Sequence, residues 1–250
     1  MITQIDPQKK LFRYMPLERF EEILKTGRIA AVNPFCWPDE FELRWLKMLE
    51  TEEGIGKLKE TVAGLLAHDE DVDRVNRKVI GLCKAIYSYR YVICFSDEED
   101  SEVMWHGRES DVMIATDIMR LTRVSDSNES SVFSVIRQVQ YDHEETFGFE
   151  KFLEKLYLDR DAVVIHDPDE FLSHKQKKYA YEHEYRLILD PVQYRDEKLV
   201  YLDIPEIQDF ITGVMVHPNA SDDHTERVKQ LCKEYHLCFK GKSQVYKFHL

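Results

Sequence analysis

The run Tyr181-Glu182-His183-Glu184-Tyr185-Arg186 sets two carboxylates two residues apart, directly before the apolar Leu187-Ile188-Leu189. An alternating run that feeds an apolar one predicts a β-strand. On a strand Glu182 and Glu184 share one face, and Tyr181, His183 and Tyr185 the other. Two carboxylates on one face repel, and their proximity raises one pKa unless a cation or a ligand balances them. Arg186 falls on the carboxylate face and is the nearest candidate for that balance. The pair is either an exposed, charged edge strand closed by a salt bridge, or an acid–base pair in a site.

Three further features carry chemical possibilities. Arg13 interrupts the apolar run Leu11-Phe12-Arg13-Tyr14-Met15. It reads as a snorkelling or salt-bridged edge residue, or as a bidentate clamp for phosphate or carboxylate. Ser96 closes the buried run Tyr91-Val92-Ile93-Cys94-Phe95 and reads as a turn-starting serine; no G-x-S-x-G elbow surrounds it. Aromatic groups gather around Trp37 (Phe35 to Phe41) and around Trp105, next to His106. In a loop such aromatics plug the core or line a site for a flat ligand, and plugging is the reading preferred for Phe35 to Phe41.

These residues need elements to hold them. Leu11–Met15 predicts a first strand, and Pro16 opens a helix with Leu17, Phe20, Ile23 and Leu24 on one stripe, closed at Gly27. Ile29–Val32 predicts a second strand, broken at Asn33-Pro34. Residues 42–90 read as one helical insertion between strands, with breaks at Gly54 and Gly56 and in the acidic stretch 68–73. Strands follow at Tyr91–Ser96, Asp111–Thr116 and, one or two, at Val132–Tyr141; Val103–Gly107 predicts a helical turn. Helices are expected from Phe149 to Tyr157 and from Asp169 to Tyr179, the latter with Lys175, Lys177 and Lys178 near its C-terminal end. Lys198–Leu202 and Ile211–Val216 read as strands. Ser221 caps a last helix, and Leu237–Lys240 with Val245–Phe248 predicts a terminal hairpin. The expected architecture is a single α+β domain over residues 1–250.

Composition narrows the function classes. The five cysteines include no C-x-x-C pair, which speaks against a disulfide framework or a zinc ribbon. A net charge of −13 opposes broad electrostatic binding to nucleic acid or anionic membrane, while leaving room for a local basic pocket. No apolar run approaches the ~20 residues of a membrane span, and the first residues lack a signal-peptide pattern, so the cytoplasm is the expected compartment. H-E-x-x-H, Walker and G-x-G-x-x-G patterns are absent, and no metal is expected. Carboxylates two apart on one strand sit too close for the opposed-face geometry of glycoside hydrolysis.

In order along the chain, Phe12-Arg13-Tyr14, Asn33-Pro34, Phe41-Glu42, Cys94-Phe95-Ser96, Met104-Trp105, Tyr181-Glu182-x-Glu184-x-Arg186 and Val216-x-Pro218-Asn219-Ala220 resemble the bacterial domain-of-unknown-function family twenty-nine seventy-one. More remotely, the same skeleton resembles the ADP-ribosyltransferase superfamily, with an arginine on strand one, a serine on a later strand and a Glu-x-Glu near a third. That resemblance implies a mixed or antiparallel split β core and an NAD-dependent enzyme, such as a toxin or phage-defence effector. In it Arg13, Tyr14, Ser96, Trp37 and Trp105 would bind NAD, Glu184 would stabilise the charge that develops on ribose, and Glu182 would serve an unidentified macromolecular acceptor. Where the superfamily has Ser-Thr-Ser character, this chain has Cys94-Phe95-Ser96. The competing reading is a non-catalytic module that binds a nucleotide or another anion.

Overall fold

The first strand, β1 (Lys10–Met15), buries Leu11 and Met15 on one face and Phe12 and Tyr14 on the other, so it must lie inside a sheet covered on both sides. The computed structural model describes residues 5–37, 39, 41–66, 71–107, 110–128, 131–142, 148–159, 162–191 and 198–245. Helix α1 (Leu17–Thr26) buries Phe20, Ile23 and Leu24, and it ends at Gly27, whose φ of 65° is the left-handed conformation that a glycine cap supplies without strain. Strand β2 (Arg28–Val32) follows, then helices α2 (Arg44–Met48), α3 (Glu52–Leu65) and α4 (Val72–Ser88) before β3 (Tyr91–Ser96). Helix α3 runs through Gly54 and Gly56, against the expected break there. The chain turns one step earlier, where the Thr51 hydroxyl caps α3 by accepting from the Gly54 N–H.

After α5 (Glu102–Gly107) and β4 (Val112–Asp117) comes α6 (Ile118–Ser127), a helix absent from the sequence reading although Asp117 caps it. Strands β5 (Ser131–Gln138) and β6 (Gln140–Asp142) lead to α7 (Phe149–Glu154) and the hairpin β7 (Leu156–Asp159) and β8 (Ala162–Ile165). The helix expected through Tyr157 therefore stops at Glu154. No helix spans Asp169 to Tyr179 either. A 3-10 turn (Pro168–Ser173), β9 (His174–Gln176) and a second 3-10 turn (Lys177–Glu182) replace it. The cause is tertiary. Phe171, Leu172, Ser173 and His174 are buried one after another, which no single helix face allows, and the Leu172 carbonyl is spent on a side chain of the next strand.

Strand β10 (Glu184–Pro191) begins at Glu184, two residues later than the sequence suggests, because His183 sits at φ 44° and swings the chain. The rest is β11 (Leu199–Asp203), the short α8 (Ile207–Phe210), β12 (Gly213–Val216), α9 (Asp222–Glu234) capped by Ser221, and β13 (Phe239–Lys242). Strand β13 pairs in parallel with β12, so the expected terminal hairpin is not its partner; residues 246–248 of that hairpin lie outside the described residues.

Nine strands form one mixed sheet ordered β11-β2-β3-β1-β4-β12-β13, with β10 on β3 and β5 beyond it. One relationship in it positions the site. Strand β3 is paired along its full length with β10, from Glu184↔Ser96 to Leu189↔Tyr91. On its other side it meets β1 at Phe12↔Ser96 and β2 at Val32↔Val92, while β1 runs in full register with β4. The sheet thus opens into a wedge between β1 and β3. One face carries Tyr91, Ile93, Phe95, Leu187 and Leu189 into a core with α1, α6 and α9. The other carries Val92 and Ile188 into a core with α2, α3, α4 and α7. Along that second face the register pairs turn from apolar (Val92↔Ile188) to polar (Cys94↔Arg186, then Ser96↔Glu184). The candidate site is this polar end. No helix among the described residues is long and apolar enough to cross a membrane.

Candidate active site

Glu184 and Arg186 share a strand face, as the alternation requires, and lock together. Arg186 Nε and Nη2 donate to the two carboxylate oxygens of Glu184, each at 3.1 Å. Both side chains are almost completely buried, and a buried charge persists only when paired and hydrogen-bonded. The remaining Arg186 donors are satisfied too: Nη1 donates to the Leu172 carbonyl at 2.7 Å and Nη2 to Glu42 Oε2 at 2.5 Å. The Trp37 ring lies 4.5 Å from the guanidinium carbon and covers its face.

Glu182 reaches the same place by a different route. It ends the second 3-10 turn, so its relation to Glu184 is not the strand alternation expected from sequence. Lys175 on β9 joins the two carboxylates, with Nζ at 2.7 Å from Glu182, 3.4 Å from Glu184 and 3.5 Å from Glu42. Three carboxylates and two cations leave one negative charge in excess. Burial alone would push the Glu184 carboxyl up, but Arg186 and Lys175 outweigh it and hold it well below the usual carboxylate range. For Lys175, burial pulls down, and Glu184, Glu42 and Glu182 together hold the ammonium above its ordinary value. The Glu184 N–H donates to the Tyr141 hydroxyl at 2.7 Å, which pins the start of β10 to β6.

Sequence reasoning missed Lys175 and Glu42 as members of the site. Lys175 was read on a helix end. Its true strand setting was signalled by the Asp167-Pro168 break and the unbroken apolar run after it. Glu42 stood in the Phe41-Glu42 pair without a role, and nothing local marks it as a partner for a residue 144 positions away.

Arg13 stands in the wedge between β1 and β3. Its Nη1 donates to the Cys94 carbonyl at 2.7 Å, supplying the bond that a continued β1–β3 ladder would have made. Arg13, Tyr14, Ser96, Glu182 and Glu184, with Cys94, line a cavity of about 40 Å³. Ser96 is 1% exposed, and its hydroxyl accepts from the Glu98 N–H at 3.1 Å in a turn. Arg13 and Tyr14 also line a second, larger cleft of about 280 Å³ with Arg19, Arg28 and Tyr201 on its walls. The Tyr14 hydroxyl is fixed at the junction, donating to the Glu98 carbonyl and accepting from the Ser101 N–H, both at 2.9 Å.

The two tryptophans lie elsewhere. Trp105 is 1% exposed, packs edge-on under Tyr14 with ring centres 4.9 Å apart, and donates to Asp100, so it offers no open face to a ligand. Trp37 is half-buried behind Arg186 and lines a third cavity, away from the first two. Among the described residues, Asp97, Glu98 and His183 bring three potential metal-ligand atoms within 4.8 Å of one another; Asp97 is also held by Lys9 at 2.5 Å.

No family model matches the chain, so the resemblance to domain-of-unknown-function family twenty-nine seventy-one gains no support there. No curated protein matches it. Two solved structures of DarT from Thermus sp. 2.9 are similar in outline. The one in complex with ADP-ribosylated ssDNA is 7% identical with a TM-score of 0.39, and covers 98% of this chain and 100% of that one. The one in complex with NAD+ is 10% identical with a TM-score of 0.38 and the same coverage. At these values the likeness is too loose to carry an argument about fold or chemistry.

Proposed function

We propose that this chain is an ADP-ribosyltransferase-like enzyme that uses NAD. One observation carries the reading: Arg13, Ser96 and Glu184, from three separate stretches of sequence, border one cavity at the split between β1 and β3. That cavity is continuous at Arg13 and Tyr14 with a cleft bearing three guanidinium groups, in a chain of net charge −13. The cleft suits the body of a dinucleotide, with Arg13 on the pyrophosphate and Tyr201 free to stack. The small cavity would receive only the reacting end.

The reaction breaks the bond between ribose C1′ and nicotinamide, and nicotinamide leaves with the electron pair. Positive charge then develops on the ribose, beside Glu184. Pre-placed anions stabilise such charge, and Arg186 and Lys175 keep Glu184 ionised for that purpose. A lone pair of the acceptor forms the new bond to C1′, and its proton passes to Glu182. The test is the release of free nicotinamide from NAD by the purified protein, with the masses of the protein and of added cell-extract components followed in parallel. Release that disappears in Glu184→Gln supports the enzyme reading.

A second reading is favoured by the tight pairing of Glu184 with both Arg186 and Lys175. In a non-catalytic module for a nucleotide or another anion, the carboxylates are salt-bridge partners and Arg13 binds. An NAD-dependent rise in melting temperature without any nicotinamide, in extract as well as in buffer, decides for that module.

A further inference from the structure

The largest of the cavities described above plays no part in the proposed NAD site. It is a groove of about 480 Å³ whose walls include Phe35, Trp37, Leu43 and Asp39, none of which borders the wedge or the arginine cleft. Its volume falls within the range of small-molecule sites. The loop was expected to plug the core, and in part it does: Pro34 is buried and Trp37 packs against the helical core. Phe35 does the opposite and is 50% exposed at the groove wall.

The polar chemistry of the groove is as specific as its walls. Asp39 Oδ1 accepts from the Phe41 N–H at 3.0 Å. Asp39 Oδ2 is shielded from water and accepts no hydrogen bond among the described residues. A carboxylate oxygen in that state is costly unless something donates to it. The rim lysine Lys84 is engaged by Glu50 at 2.6 Å, so the groove does not select for an anion. What it lacks is a flat ring between aromatic walls and one N–H aimed at Asp39.

We propose that this groove is a second ligand site, taking a planar, uncharged heterocycle of nucleobase type that carries an amino donor. The ring would stack on Phe35 and Trp37, and the amino group would donate to Asp39 Oδ2. The far side of Trp37 covers Arg186, so the occupant sits one ring away from the clamp on Glu184. The proposal does not depend on the NAD reading.

Trp45 and Trp105 are buried, which leaves Trp37 as the half-exposed fluorophore among the three tryptophans. Adenosine titrated into the full chain, with excitation at the red edge of tryptophan absorption, is expected to quench fluorescence saturably. Purine riboside, which lacks the amino group, is expected to bind about tenfold more weakly, as loss of a hydrogen bond to a charged group implies. Phe35→Ala, an exposed change that leaves the core intact, is expected to weaken adenosine by about tenfold through lost stacking. Tyr201→Ala, in the other cleft, is expected to change nothing. Absence of saturable quenching at millimolar adenosine overturns the proposal. So does equal binding of the two nucleosides, or binding that is lost in Tyr201→Ala and kept in Phe35→Ala.

Discussion

Arg13 on β1 donates to the main-chain carbonyl of Cys94 on β3 across the point where the two strands part. A charged side chain thereby completes the ladder that the split removes, and its guanidinium borders both the carboxylate cavity and the arginine cleft. Structure and proposed ligand binding therefore meet in one residue.

Replacing Arg13 separates the two. Arg13→Ala leaves the Cys94 carbonyl without its donor and is expected to cost about 1–3 kcal/mol in urea denaturation. Arg13→Lys restores a single donor and is expected to recover most of that stability. It does not restore the planar fork, so the NAD-induced rise in melting temperature should stay below that of the parent. A lysine variant with full NAD response would remove the pyrophosphate role assigned to Arg13.

The buried carboxylate cluster predicts an acid-sensitive fold. The Glu184 carboxyl is held below its ordinary value of 4.5, so its contribution is complete above that pH and is lost as pH falls through the folded value. Lys175 has the opposite sign. It is held above 10.5, so its contribution is complete below that pH and is lost as pH rises past it. Urea midpoints measured from pH 7 down to 3 should fall, with a shallower slope below pH 4.5 in Glu184→Gln. That variant should also be less stable at neutral pH, because Arg186 loses its charged partner in a buried setting, where breaking an ion pair costs about 3–5 kcal/mol. Parallel acid limbs for parent and variant would mean that Glu184 does not carry the effect.

Much of the frame is legible in the sequence because its signals are local. The apolar runs of β1 and β3, the stripe of α1 and the glycine that ends it need only a few neighbouring residues to be read. Helix α6 was readable in the same way: Asp117 caps it, and Ile118, Leu121 and Val124 recur at helical spacing. The site was legible in part. Glu184 and Arg186 follow from strand alternation, and Arg13 and Ser96 stood out as polar residues in apolar runs. Glu42 and Lys175 did not, because their roles are set by partners distant in the chain or by a segment whose helix signal is overridden. From Phe171 to His174 four consecutive side chains are drawn inside, and the Leu172 carbonyl serves Arg186 instead of a helix. That tertiary demand turns Lys175 toward the carboxylates.

Two glycines of α3 offer a test of the helical layer with opposite signs. A Cβ at Gly54 would run into the Met48 carbonyl, whereas one at Gly56 would meet nothing. Gly56→Ala is expected to stabilise by about 0.5–1 kcal/mol through helix propensity. Gly54→Ala is expected to destabilise by about 1–3 kcal/mol, because backbone must shift. Thermal melts of the two variants check the packing of α2 against α3. A stabilising Gly54→Ala would show that this packing is looser than described.

Glu182 and Glu184 share Lys175, yet the proposed chemistry gives them separable roles. Glu184 faces Ser96 across the β3–β10 pair and answers to Arg186, whereas Glu182 hangs from the turn that precedes β10. If Glu184 stabilises the ribose charge, Glu184→Gln should lower nicotinamide release by about 100-fold or more, the scale of losing one pre-placed electrostatic group. If Glu182 takes the acceptor's proton, Glu182→Gln should spare slow release to water and suppress the mass gain on the acceptor. Both variants must be shown to bind NAD by thermal shift, since each loses a partner of Lys175. Equal loss of release and of transfer in the two variants would instead make the carboxylates one structural unit around Lys175, and would assign neither of them to the reaction.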